Sequence, residues 1–144
     1  MHIARATRDD IDDLAHLIRL DTPGAMTSAG TFSADLAEWW DEHQGTHHAF
    51  VAWADDSTVV GMAWLAMLPR VPRPGATNRL CADIQTVFVL PSYRRAGIGA
   101  ALVEAAAQYG TGLGAGRITV HSGRRAVRLY QRLGFSTSPQ LLQR

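Results

Sequence analysis

The sequence predicts an α/β domain with a mixed central sheet and flanking helices, in the order β-α-α-β-β-β-α-β-α-β. Apolar runs of strand length recur along the chain. Segments with helical periodicity lie between them, and these begin at cap residues and end near glycines. The 144 residues contain no internal repeat and no linker long enough to divide them. One domain over residues 1–144 is therefore expected.

The strands and helices follow from these patterns in chain order. The predicted strands cover residues 2–6, 47–54, 57–68, 80–90 and 117–120, with a short strand after Phe135. The predicted helices cover residues 8–20, 34–43, 97–109 and 124–133. Thr7 and Ser33 are the predicted caps of the first two helices. Asp55 and Asp56 predict a hairpin turn, and the proline-rich segment 69–78 predicts a loop.

Composition excludes several classes of protein. The 47% hydrophobic and 19% charged content is typical of a globular chain. No run approaches the roughly 18 apolar residues that span a membrane, and the start lacks the apolar core of a signal peptide. We therefore expect no membrane partner and a cytoplasmic location. A net charge of +1 does not indicate nucleic acid. The single cysteine, Cys81, excludes an internal disulfide.

A metal site is also not expected. His43 and His47 are four residues apart, but Gln44 and Gly45 interrupt any helix they would share. His47 and His48 are neighbours on a predicted strand and face opposite ways. Clustered cysteine or carboxylate partners are lacking near them. The chain has no lysine, which excludes the phosphate loop of nucleoside triphosphatases.

A glycine-containing turn between a predicted strand and a predicted helix is the strongest local signal. The stretch reads Arg94-Arg95-Ala96-Gly97-Ile98-Gly99. A helix N-terminus offers unpaired N–H groups, and glycines let a ligand approach the backbone. This pattern predicts a phosphate site, although a plain turn is the alternative. The dinucleotide fingerprint fails because Leu102 occupies its last position, and "GTGLGAG" follows a helix instead of a strand.

Two blocks carry a family resemblance. The segment "VFVLPSYRRAGIGAAL" resembles motif A of the GNAT N-acetyltransferase superfamily, with the core [QR]-x-x-G-x-[GA]. The segment "AVRLYQRLGF" resembles motif B, A-x-x-L-Y-x-x-x-G-F. Their order and separation also resemble that fold. Gly123 stands where many relatives carry asparagine, so one polar contact is expected to differ.

The resemblance implies a GNAT-like acyl-CoA N-acyltransferase fold and acetyl-CoA as cosubstrate. Backbone amides at the turn would hold the pyrophosphate, and the strand before it would pair with the pantetheine arm. The implied cofactor-binding residues are Val87, Phe88, Val89, Arg94, Arg95, Ala96, Gly97, Ile98, Gly99 and Ala100.

Tyr130 is the first catalytic candidate. It belongs to an apolar stripe with Ala126, Leu129 and Leu133, so its side chain should face the sheet. The matching tyrosine of the resembling family is the usual proton donor to the departing thiolate. The alternative is a core tyrosine whose hydroxyl is satisfied by hydrogen bonds.

Asp83 is the second catalytic candidate. Strand alternation places Asp83, Gln85, Val87 and Val89 on one face, unless a bulge intervenes. A carboxylate in an apolar strand is rarely idle. Asp83 would take the proton of the amine directly or through a water, which Gln85 would polarise in a second scheme. An exposed position at the strand start is the alternative.

These residues predict an N-acetyltransferase in which the amine of a small molecule or peptide attacks acetyl-CoA directly in a ternary complex. A non-catalytic acyl-CoA-binding or sensor domain of the same fold is the rival, and a nucleotide-binding module is a third reading. The expected partners are acetyl-CoA and an amine. The sequence leaves the acceptor, the acyl length and homodimer formation open.

Overall fold

The computed structural model describes residues 1–24, 28–123 and 126–144. It contains a five-stranded sheet in the order β1-β2-β3-β4-β5. The strands are β1 (His2–Arg5), β2 (His47–Trp53), β3 (Val59–Pro69), β4 (Leu80–Val89) and β5 (Ala115–Val120). The helices are α1 (Ile11–Asp21), α2 (Ala29–His43), α3 (Ile98–Gly112) and α4 (Val127–Arg132). The strands β1 to β4 pair antiparallel, and β5 lies parallel to β4. The mixed sheet with flanking helices is confirmed.

Of the two predicted helix caps, one is correct and the other is wrong. The side chain of Thr7 caps a short 3-10 turn that leads into α1, and Asp10 completes a capping box with it. The prediction that Ser33 caps the second helix is wrong. Ser28 is the cap, and its hydroxyl accepts from the amide of Thr31. The helix gains a full turn because Phe32 already packs with the core.

The C-terminal segment differs from prediction in two ways. The helix predicted over 124–133 is present as α4, but Arg124 and Arg125 lie outside the described residues. The short strand predicted after Phe135 is wrong, since residues 135–144 form no strand in the structure. The third helix also runs past Gly110 to Gly112. None of the helices in the described ranges is long and apolar enough to cross a membrane.

The sheet separates two apolar clusters, which we name by the helices that cover them. The α3 face packs α3 against the sheet, with Leu65, Ile84, Leu102 and Val103 almost fully buried. The α1/α2 face is richer in large rings. Its core residues include Leu14, Leu17, Trp40, Trp64 and Phe88. Burial of both faces accounts for most of the favourable free energy of folding.

A bulge in β4 changes which side chains share a face. Trp64 of β3 pairs with Thr86, whereas the next residue, Leu65, pairs with Ile84. Gln85 is therefore an extra residue in β4, and the alternation shifts by one at that point. Val89 and Ile84 both reach the α3 face, while Asp83 pairs with Ala66 toward the α1/α2 face. The prediction that Asp83 shares a face with Val87 and Val89 is wrong for this reason.

Candidate active site

The predicted cradle lies between β4 and α3. A 3-10 turn at Pro91–Tyr93 ends the strand, and α3 begins at Ile98. The first hydrogen bond of the helix joins the amide of Ala101 to the carbonyl of Gly97, at 3.0 Å. The preceding amides, from Arg95 to Ala100, are thus at the helix start, where backbone donors lack helical acceptors. The positive end of the helix dipole lies at the same place.

The backbone of the cradle requires one of its two glycines. Gly97 has φ +82° and Arg95 has φ +66°, so two left-handed residues flank Ala96 and turn the chain sharply. A Cβ at Gly97 would meet no atom within 4 Å. A Cβ at Gly99 would touch Val89 at an ordinary 3.8 Å. The space outside both glycines is consequently open to a ligand.

Arg94 does not extend into the cradle. Its Nε donates to the carbonyl of Val89 at 2.8 Å, and its guanidinium lies 5.4 Å from the centre of the Phe88 ring. The Asp21 carboxyl at the end of α1 is close enough to feel this charge. Burial raises the pKa of Asp21, and Arg94 opposes that shift. Arg94 therefore binds the end of β4 and lies near the end of α1.

The free edge of β4 begins where β5 diverges. The last paired residues are Ile84 and Val120. Beyond them, β4 pairs with β3 alone within the described residues. The amide of Leu90 donates to Val60 of β3 at 2.8 Å. By alternation, Val87 and Val89 direct their backbone groups toward the free edge.

The backbone of Phe88 faces the other way. Its carbonyl lies 3.2 Å from the position that a Cβ on Gly61 of β3 would occupy. Of the three residues predicted to pair with a pantetheine arm, Val87 thus offers its N–H and its carbonyl to the opening, and Val89 offers its N–H, since its carbonyl accepts from Arg94. Phe88 contributes its ring to the α1/α2 face instead.

Tyr130 lies on the α3 face, as predicted from the apolar stripe. Its ring packs against that cluster and meets Phe135 edge to face, with ring centres 5.7 Å apart. Burial raises the pKa of the Tyr130 hydroxyl. The phenol therefore keeps its proton at neutral pH, which a proton donor requires.

Asp83 lies near the point where β4 and β5 separate. It pairs with Thr119 across the parallel strands, and the Thr119 hydroxyl donates to Asp83 Oδ1 at 2.8 Å. The side chain is only part buried. One carboxylate oxygen is thereby held in place by Thr119, on the face opposite Tyr130.

A ring cluster on the α1/α2 face was not predicted from the sequence. The Trp39 ring stacks on His43 at 4.4 Å and meets the edges of His47 and Trp64 at 4.8 and 6.2 Å. The two imidazole rings are 5.6 Å apart. The indole N–H of Trp40 donates to the His47 carbonyl at 2.9 Å and fixes α2 on β2.

Metal ligation has no support in this cluster. Within residues 1–24, 28–123 and 126–144, no group of three or more His, Cys, Asp or Glu side chains is placed to hold a metal ion. Burial lowers the pKa of His47, and the neighbouring His43 lowers it further, while Gln85 opposes both. His47 is therefore a neutral imidazole at pH 7.

An open sheet edge that leads to a helix start with unpaired amides is suited to an extended, phosphate-bearing ligand. A sequence profile of the Acetyltransferase (GNAT) family matches residues 11–135. The chain belongs to this family of acetyltransferases.

Curated relatives agree with this assignment. The chain is 34% identical over 77 residues to a glucosamine 6-phosphate N-acetyltransferase of Trypanosoma brucei brucei. That match covers 54% of this chain and 50% of the relative, so the chain spans about half the length of this enzyme. An uncharacterized N-acetyltransferase of Archaeoglobus fulgidus is 30% identical over 115 residues, which covers 76% and 73% of the two chains.

A solved structure extends the likeness to the whole fold. A Clostridium acetobutylicum protein, described as a predicted acetyltransferase and solved with acetyl-CoA, superposes with a TM-score of 0.78. The superposition covers 99% of this chain and 94% of the other, at 13% identity. At this identity the likeness concerns the fold alone.

Proposed function

We propose that the protein transfers the acetyl group of acetyl-CoA to a primary amine, which attacks the thioester directly in a ternary complex. The observation that carries the proposal is the continuity between two features. The free edge of β4 at Val87 and Val89 leads into the amide cradle at residues 95–100. The pantetheine arm of acetyl-CoA carries amides, and a diphosphate follows it. The cofactor therefore matches the order of backbone donors and acceptors along this path.

In this proposal, different parts of the protein bind the two ends of the cofactor. The pyrophosphate lies against the start of α3, beside the side chain of Arg95. The pantetheine amides pair with the backbone of Val87 and Val89, in the space that β5 vacates beyond Val120. The thioester then lies near the point of divergence, beside Asp83 and Gln85. A family neighbour solved with acetyl-CoA supports the choice of cofactor.

The chemistry uses both faces of the sheet. The neutral phenol of Tyr130 protonates the departing thiolate from the α3 side. Asp83, on the other face, meets the incoming ammonium with the carboxylate oxygen that Thr119 leaves free. An acid and a charge partner on opposite faces let the amine enter on one side while the thiol leaves on the other. The non-catalytic sensor alternative provides no role for this arrangement.

Calorimetric titration with CoA tests the cradle. Gly99→Trp fills the approach to the cradle without the backbone strain that any side chain suffers at Gly97. CoA binding is expected to disappear in Gly99→Trp while its melting temperature stays near that of the wild type. Gly112→Trp, at the other end of α3 with no atom near its Cβ, is the matched control and should bind normally. Equal CoA affinity in all three proteins would contradict the proposed cofactor site.

Turnover separates the enzyme from a sensor. Released thiol is measured with acetyl-CoA and a panel of amines that includes a hydrophobic monoamine, a polyamine and glucosamine 6-phosphate, the last because of the trypanosomal relative. At least one amine is expected to release thiol above the background rate. CoA binding without release from any amine would favour the sensor.

A further inference from the structure

The row of side chains across the middle of the sheet lies directly under the ring cluster. His47 of β2 pairs with Ala66 of β3, and Ala66 pairs with Asp83 of β4. Paired residues of antiparallel strands share a face, so these three side chains form one row on the α1/α2 face. Ala66 is the shortest of them. The imidazole and the carboxylate therefore stand on either side of a low point in the sheet.

The two ends of this row are about two strand spacings apart, or roughly 10 Å between backbones. Both side chains are part exposed, whereas Ala66 is 9% exposed. Solvent still reaches the methyl group of Ala66 between the two longer side chains, next to the bulge at Gln85 and the divergence of β5. This position adjoins the place proposed above for the thioester.

The wall of this space is made of flat rings. Trp39 stacks on His43 and meets the edges of His47 and Trp64, and the Trp39 side chain is 37% exposed. Aromatic faces and edges favour an apolar skeleton and attract a positive charge. Asp83 is the one carboxylate in the row. A single carboxylate beside flat rings favours one ammonium over several.

One hydrogen-bond arrangement leaves Nε2 of His47 free to accept a proton. The Thr46 hydroxyl lies 2.8 Å from His47 Nδ1 and donates to the His43 carbonyl at 3.4 Å. With its hydrogen on that carbonyl, the hydroxyl oxygen accepts from Nδ1–H. The lone pair of the neutral imidazole is then on Nε2.

From this arrangement we propose that the space above Ala66 receives a hydrophobic primary monoamine, and that His47 Nε2 removes the proton from its ammonium group. The inference rests on the proposed N-acetyltransferase function and assigns its acceptor class and its base. Asp83 keeps the role of holding the ammonium charge. Imidazole is a stronger base than a carboxylate in unperturbed side chains, by about two pKa units.

The ammonium nitrogen carries three protons. The ammonium gives one proton to His47, which returns it to solvent after turnover. The freed amine attacks the thioester carbon, so a C–N bond forms and the C–S bond breaks. A second nitrogen proton passes to solvent as the amide forms, and Tyr130, having given its proton to the thiolate, takes one back from solvent. The third stays on the amide.

Within the described residues, four titratable or polar side chains face His47 from the elements packed against it. They are His43 from α2, Thr46 from the residue before it, and Gln85 and Asp83 from β4. His48, the next residue, lies on the α3 face with its ring 4.9 Å from that of Tyr109. Burial lowers the pKa of both histidines. His48 is consequently a matched control for His47, with the same side chain and a part-buried site on the other side of the sheet.

The test follows kcat/KM from pH 5 to 9 at saturating acetyl-CoA, with 2-phenylethylamine, spermidine and glucosamine 6-phosphate as acceptors. We expect 2-phenylethylamine to be preferred by at least about tenfold, with a rate that falls on the acid side as one group protonates. His47→Gln should lower kcat/KM at pH 7 by about 10²-fold and remove that acid limb. His48→Gln should retain both rate and limb, with melting temperatures showing that each variant is folded.

A second variant keeps the test valid if His47→Gln does not fold. Trp39→Leu is expected to raise KM for 2-phenylethylamine several-fold and to leave the acid limb in place. The inference is overturned if His47→Gln retains the wild-type profile, if Trp39→Leu leaves KM unchanged, or if spermidine or the phosphosugar is preferred. Those outcomes leave the N-acetyltransferase function standing. No thiol release from any amine would instead remove both proposals.

Discussion

The two faces of the sheet are built from different kinds of side chain. The α3 face is made of aliphatic residues that interlock with one long helix, and its one catalytic candidate, Tyr130, sits at the margin. On the α1/α2 face, stacked tryptophan and histidine rings adjoin Asp83 and the bulge of β4. One face packs beneath the start of α3, where we propose that the cofactor binds, and the other holds the groups that we propose meet the amine. The aliphatic side chains that pack against α3 and the polar and aromatic side chains beside Asp83 thus lie on opposite faces of the sheet.

The largest effect should come from a cavity on the α3 face. Leu102 is fully buried, and its Cδ1 lies 3.0 Å from where a Cβ on Gly61 would be. Leu102→Ala is expected to lower the free energy of unfolding by about 2–5 kcal/mol, measured in urea. Leu142→Ala, at an 88% exposed position, is the control and should change it by less than about 0.5 kcal/mol. Equal losses in both would undermine the packing role of the α3 face.

The next effect isolates the proton donor. Tyr130→Phe keeps the ring beside Phe135 and is expected to lower kcat by about 10²-fold, with CoA affinity and the acid limb unchanged. Tyr109→Phe removes another hydroxyl from the same face, one that accepts from Arg5, and should leave kcat unaltered. A shifted acid limb in Tyr130→Phe would mean that the two faces do not divide the proton transfers.

A smaller effect distinguishes the glycines of the cradle. Gly97→Ala should lower the free energy of unfolding by about 1–2 kcal/mol because φ is +82° there. Gly99→Ala meets only an ordinary contact and should be neutral or slightly stabilising in the first turn of α3. Thermal or urea unfolding of the pair measures the difference. A larger loss of stability in Gly99→Ala than in Gly97→Ala would show that the left-handed turn is not what requires glycine.

The smallest effect is the pH dependence of stability. His47 and His48 have lowered pKa values, so the unfolded chain binds protons more readily below the ordinary value of about 6.5. Stability should be complete above about pH 7 and decline as the pH falls toward the folded pKa of each histidine. His48→Gln should flatten part of this decline in melting temperature. An unchanged slope would remove His48 from the acid sensitivity.

Local features were predictable from the sequence, and those that depend on pairing were not. The glycine turn before α3 was predicted because Gly97, Gly99 and the helix start are consecutive in the chain. The face of Asp83 was assigned wrongly because the extra residue at Gln85 is defined only by the partner strand β3. Simple alternation contains no sign of that bulge.

One error and one missed contact had usable signals in the sequence. The second helix was started too late at Ser33, although Phe32, Leu36 and Trp40 recur every four residues and define one apolar stripe. His43 and His47 were separated by the break after α2. The chain turns there without moving the rings apart, because the end of α2 lies over the start of β2. The spacing of Trp39, His43 and His47 continues through that turn.

The extra residue at Gln85 divides β4 into two stretches that can change independently. Substitutions before it, at positions such as Asp83, alter what the acceptor side offers, while those after it alter the edge that leads to the cradle. Under the proposed function, descendants of this chain could acquire a different amine by exchanging a few residues upstream while keeping the thioester site. One inserted amino acid in β4 would then let substrate choice change without loss of the acetyl donor.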